Sequence, residues 1–207
     1  MSLGFFYLVR SYVEVFSISG FLSYCLINAF TPGPGNLLAL NTMVRYGFRR
    51  SRFLLAGIFL GYYAVQTACA FMVYSLGSHF ESALGYMRYI GAAYIVWLAF
   101  HILTSRPGSD HTEKAPSLLS GFLLQLINVK IYMFGITALI GYVTPFSSSL
   151  GVILAISFLI ATMGTCATTV WAFFGTMIQG IYDRYYLPVN LIMALVLLYN
   201  AFTMIVH

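Results

Sequence analysis

Phe30-Thr31-Pro32-Gly33-Pro34-Gly35-Asn36 interrupts an apolar run that extends from about residue 17 to about residue 44. Neither proline has an amide donor, and Pro32 pushes Thr31 away from helical geometry. Gly33 and Gly35 permit backbone angles that other residues resist. Together these residues predict a broken helix with several N–H and C=O groups unpaired. In hydrocarbon such groups cost several kcal/mol each unless protein, water or ligand satisfies them. A break at that depth must therefore be buried or line a wet cavity. The downstream segment, expected to begin near Asn36, would turn its free amides and positive dipole end towards an anion such as a carboxylate. The plainer alternative is a kink that serves packing alone.

The hydrocarbon setting follows from composition. Of 207 residues, 60% are hydrophobic and 7% charged, against about 45–50% and about 25% in soluble proteins. Fifteen charged side chains cannot coat a soluble globule of this size, and the high hydrophobicity excludes disorder. Six stretches have the roughly 20 apolar residues that cross a bilayer: about 17–44, 53–76, 88–104, 118–143, 150–177 and 188–206. β-Barrel strands would be shorter and would alternate. The expected fold is thus an all-α polytopic membrane protein. Residues 17–207 form one transmembrane domain, preceded by residues 1–16 as an N-terminal extension or interfacial helix, where Arg10 and Glu14 stand at i,i+4.

The net charge of +5 does not point to nucleic acid. Arg45, Arg49, Arg50 and Arg52 share one hydrophilic break, as in a cytoplasmic loop. With that loop inside, Arg106, Lys114 and Arg184 fall on the same side, opposite Arg10 and Arg88. Seven against two places both termini outside the cytoplasm.

The chain also matches itself. At an offset of 100, Leu26-Ile27-Asn28 pairs with Leu126-Ile127-Asn128 and Gly35 with Gly135. Near the ends of the third and sixth spans, at an offset of 102, Ala99-Phe100 pairs with Ala201-Phe202. Each matched tripeptide lies in the first span of a three-span unit, giving repeat 1 at about 17–104 and repeat 2 at about 118–206. Three is odd, so the second copy enters from the opposite side. Inverted repeats of this kind place a substrate site near the midplane, between interrupted helices. The expected interruptions are residues 31–36 and 128–130.

Lys130 is the only charged side chain well inside a span, where insertion costs at least roughly 2.5–3.5 kcal/mol. Its ammonium could pair with a substrate carboxylate or give up its proton; snorkelling to the headgroups is the structural alternative. Asn28 and Asn128 are intramembrane amides suited equally to helix packing and to ligand contact. Gly57, Gly61, Ala64 and Ala68 form a small-residue stripe for close packing within the chain, with homodimerisation as the alternative. His101 reads as interfacial beside Trp97, and His79, His111 and His207 as solvated. Cys25, Cys69 and Cys166 all lie in apolar stretches and read as buried, inert thiols. No span carries an Asp or Glu that would name a proton site. No Walker loop, Ser-His-Asp set or metal-ligand spacing is visible, so neither enzymatic chemistry nor a cofactor is expected.

From Phe30 to Asn36 the sequence resembles the LysE/RhtB family of amino-acid exporters. The likeness continues through Gly47-Phe48-Arg49-Arg50, Gly57 to Gly61, the tract from Gly91 to Ala99, and Asn128-Val129-Lys130. Within the family, Asn128-Val129-Lys130-Ile131, Gly135-Ile136-Thr137-Ala138-Leu139 and Ala161-Thr162-Met163-Gly164-Thr165 are most similar to the cysteine/O-acetylserine exporter branch. The resemblance implies proton-driven export of small neutral amino acids across a bacterial inner membrane. It carries Asn36 and Lys130 over more directly than Gly35, which stands where relatives have Asn. Together with the residue-level reading, it sets the substrate site at Asn28, Thr31, Pro32, Gly33, Pro34, Gly35, Asn36, Asn128 and Lys130. Two other readings compete: a thiol-disulfide carrier, which needs two cysteines able to meet, and a passive small-solute channel.

Overall fold

A computed structural model describes residues 18–76, 81–104 and 117–206. The N-terminal extension, Lys114, Arg106, His79, His111 and His207 lie outside the described residues. Among the described residues there are seven helices and no strand. In chain order they are α1 (Ile18–Phe30), α2 (Pro34–Leu76), α3 (Glu81–Thr104), α4 (Leu118–Ile127), α5 (Val129–Tyr142), α6 (Leu150–Met177) and α7 (Gln179–Val206).

The first expected break is present and shorter than predicted. α2 begins at Pro34, two residues ahead of Asn36, because proline is well suited to the first helical position, where its missing N–H costs nothing. The Gly33 carbonyl accepts the first bond, from Leu37 N at 2.9 Å. The second break narrows to Asn128 alone (φ −82°, ψ 87°), where α4 and α5 bend by 56°. Lys130 consequently sits in the first turn of α5 rather than in unwound chain.

The arginine cluster, expected as a loop, is helical. α2 kinks there at Gly47 (φ 67°, ψ 175°), a conformation open to glycine. Buried Ser51 ties the corner, its hydroxyl lying 2.8 Å from the Gly47 carbonyl and 3.0 Å from that of Thr42, with one proton to share between them. Residues 178–187, also expected as a loop, are helical from Gln179 onward, with only Ile178 left as a turn; α7 runs through them with a distortion at Tyr185 (φ −127°, ψ 37°). Proline at 188 has no N–H to give to the turn before it, which accounts for a distortion there and not for a full break.

Three helical segments are long and apolar enough to cross a bilayer: Pro34–Ser75, Leu150–Met177 and Gly180–Thr203. The bent pair α4–α5 makes a fourth. α1 and Tyr89–Thr104 are apolar but shorter. The outer surface is broadly apolar, as expected of a lipid-facing one, with Phe100 67%, Phe173 65% and Phe202 63% exposed. Cys166 lies on this surface, which corrects its expected burial; Cys25 and Cys69 are buried, and all three thiols are free.

α2 packs along α6 and α4, whereas α3 and α7 pack chiefly on each other and touch the rest sparsely. Small residues set the α2–α4 approach. A Cβ on Gly57 would collide with the Leu118 carbonyl, and one on Gly121 with the carbonyl of Leu54. A Cβ on Gly61 would likewise press on Gln125 Cβ, so two of the four stripe residues, Gly57 and Gly61, pack on α4 inside the chain. Rings of Phe21 and Tyr24 on α1 meet Tyr142 on α5 at 6.0 and 5.8 Å. The chain is therefore a helical bundle with the α3–α7 pair laid against it along a thin seam.

Candidate functional site: the break between α1 and α2

Four successive carbonyls at the end of α1 have lost their helical partners to the break. Each is met by a side chain. Asn36 Nδ2 donates to Ala29 O at 2.9 Å. Trp171 Nε1 on α6 donates to Phe30 O at 3.1 Å. Lys130 Nζ on α5 donates to Thr31 O at 2.9 Å, and Asn200 Nδ2 on α7 to Pro32 O at 3.2 Å. Side chains from four helices therefore repair the backbone that two prolines opened, as hydrocarbon demands.

Lys130 links the two breaks. Its ammonium reaches ninety-nine residues back in sequence to Thr31 and fills the space beside Gly33, where a Cβ would stand 3.1 Å from Nζ. One of its three protons is thereby engaged and two remain for a ligand. Among the described side chains the only carboxylate is Asp183, seventeen residues before Asn200 on α7, roughly 25 Å away along a helix. A cavity of about 230 Å³ opens beside the ammonium, at the seam where Pro34 and Lys130 face Ile95 on α3 and Asn200 and Thr203 on α7. Its volume is below the roughly 300–1,000 Å³ typical of drug-sized ligands, which suits a smaller solute.

The remaining expected residues divide. Asn36 is buried and structural on both ends, since its oxygen also accepts from Thr168 Oγ1 at 2.8 Å. Gly35 makes room for Gln125, whose Oε1 would stand 3.1 Å from a Cβ there. Asn128 donates to that same Oε1 at 3.0 Å, which sets a buried amide pair against the first turn of α2. Asn28 does not join the group: its amide bonds to Tyr24 O, one turn back in its own helix, at 2.9 Å. The repeat placed it opposite Asn128 in sequence, but α1 stays helical through residue 28, so its amide finds a local partner.

Gln125, Trp171, Asn200 and Thr203 were not singled out from the sequence. Asn200 and Gln125 carried the same signal as Asn128, an amide inside an apolar span. Thr203 carried little, because a threonine in a helix commonly bonds to its own backbone; Thr203 Oγ1 does so, to Asn200 O at 3.0 Å.

The two broken helices thus meet at a half-buried cation, Lys130. The LysE type translocator family matches residues 26–207, and the chain belongs to that family. Cysteine/O-acetylserine efflux proteins of Escherichia coli strain K12, Shigella flexneri serotype 5b and Shigella sonnei are each 40% identical over 185 residues, covering 89% of this chain and 95% of theirs. No solved structure matches the chain.

Proposed function

We propose that the protein is a secondary active exporter of small neutral amino acids, of the cysteine/O-acetylserine type, working from the cytoplasm of a bacterium across its inner membrane. The observation that carries this reading is the Lys130–Thr31 bond at 2.9 Å, which puts a cation with spare donors where both broken helices meet a small cavity. A substrate carboxylate takes those donors, beside the positive dipole end of α2 at Pro34. The 40% identical cysteine/O-acetylserine efflux proteins supply the substrate class. Proton movement down its gradient drives accumulation outside.

The same reading takes the fold as two inverted three-span repeats. α1 with residues 34–46 corresponds to α4–α5, residues 48–76 to α6, and α3 to α7. Pro34–Ser75 has 42 residues, a rise of about 60 Å and twice the roughly 30 Å hydrocarbon core. Gly47 therefore serves as the turn between one pass and the next. The arginines around it face the cytoplasm, and both termini lie outside.

Reconstitution tests the proposal. Vesicles holding the purified protein should accumulate labelled cysteine or O-acetylserine when a pH gradient is imposed, and should show counterflow without one. Flux that equilibrates but is never accumulated under any gradient identifies a channel and removes the proposal.

A further inference from the structure

The cavity beside Lys130 has a second polar wall. Asn200 and Thr203 stand one turn apart on α7 and line the same space as Lys130. The orientation of the Asn200 amide is fixed by its neighbours. Nδ2 lies 3.2 Å from Pro32 O and 2.7 Å from Val196 O, and only an NH₂ group can donate to two carbonyls. Both amide hydrogens are thus engaged, which leaves Oδ1 as the atom able to accept. The Thr203 hydroxyl gives its proton to Asn200 O, so its lone pairs too are left to accept. One wall of the cavity donates and the other accepts.

We propose that Asn200 and Thr203 bind the α-ammonium of the substrate while Lys130 holds its carboxylate, so the site takes the complete zwitterion. The inference rests on the carboxylate role of Lys130 argued above. It explains why the cavity straddles the seam: the carboxylate end lies on the bundle and the ammonium end on the α3–α7 pair. A bound amino acid therefore ties together the two parts that touch each other least. Ile95, Val129 and Met133, with Pro34, form the apolar lining that bounds the remaining space. They leave room for a small apolar or thiol side chain and offer no acceptor for a second cation, which excludes lysine-like substrates.

Competition against labelled cysteine, under reducing conditions and on the purified protein in lipid nanodiscs, tests the assignment with two smaller analogues. 3-Mercaptopropionate is cysteine without its amine, and cysteamine is cysteine without its carboxylate. Both should compete at least about tenfold more weakly than cysteine, as expected for losing a charge-assisted hydrogen bond. In Thr203→Val, which keeps the shape of the side chain, the advantage of cysteine over 3-mercaptopropionate should shrink several-fold. Its advantage over cysteamine should stay unchanged. Lys130→Met should give the reverse pattern. If 3-mercaptopropionate matches cysteine on the unaltered protein while cysteamine stays weak, the ammonium site is wrong and the Lys130 reading stands. An unchanged 3-mercaptopropionate gap in Thr203→Val overturns the assignment to Thr203. Cysteamine matching cysteine, or no saturable cysteine binding at all, removes the Lys130 reading and this inference with it.

Discussion

Thr168 Oγ1 on α6 donates a 2.8 Å hydrogen bond to the side-chain oxygen of Asn36 in the first turn of α2. The nitrogen of the same amide reaches across the break to Ala29 O at 2.9 Å and Thr31 O at 3.3 Å. One amide thus fixes the end of α1, the start of α2 and the face of α6. Asn36 positions the site and has no N–H left to donate to a substrate.

Removing the donor tests that role. Thr168→Val keeps the shape but leaves a buried oxygen unpaired, at a cost of about 1–3 kcal/mol. Thermal unfolding in detergent should show a lower midpoint, with the residual folded protein still binding substrate. A midpoint equal to that of the parent would mean that Asn36 is not held by α6.

Lys130 should respond differently. Lys130→Met removes the charge at similar length and should abolish export without loss of folded protein, because the burial cost of the ammonium disappears with it. Lys130→Arg should also fail: a rigid planar fork cannot sit in the space beside Gly33 that a compact ammonium fills. If Lys130→Met still binds substrate and exchanges it but no longer accumulates it, the residue serves coupling. Binding and accumulation both at parental levels would return Lys130 to a structural role.

Two glycines give opposite outcomes under one substitution. Gly57→Ala puts a methyl into the main-chain carbonyl of Leu118, so α2 and α4 must part, at a cost of roughly 1–3 kcal/mol or more. A Cβ at Gly141, near the end of α5, meets nothing within 4 Å. Gly141→Ala should therefore stabilise by about 0.5–1 kcal/mol through the helix backbone alone. Melting curves that rank the pair the other way would contradict the α2–α4 packing.

Topology is tested at the Gly47 corner, where Phe48 is 64% exposed. Phe48→Cys, on a background lacking Cys25, Cys69 and Cys166, should resist an impermeant thiol reagent in intact cells. It should react once the membrane is opened. Reaction from outside would reverse the orientation of the whole chain.

Some features were decided locally, and the sequence alone determined them. Pro32 and Pro34 cannot donate, and with Gly33 and Gly35 around them helix α1 was bound to be disrupted there. Apolar runs of span length had to meet lipid, and Lys130 in the midst of one had to find a polar partner. The two prolines did not determine how their damage is repaired. Trp171, Asn200, Thr168 and Gln125 come from spans up to 168 residues distant, and their own neighbourhoods mark them at most as polar groups in apolar spans, without saying what each will meet. They look like ordinary polar residues in apolar helices until the helices are assembled. Asn28 and Asn128 show the same limit from the other side. Their sequence contexts match, yet one amide turns back on its own helix and the other lies buried beside Gln125, because the backbone bends at 128 and stays helical at 28. A hydrogen bond depends on where two atoms sit, and across a bundle only tertiary packing fixes that.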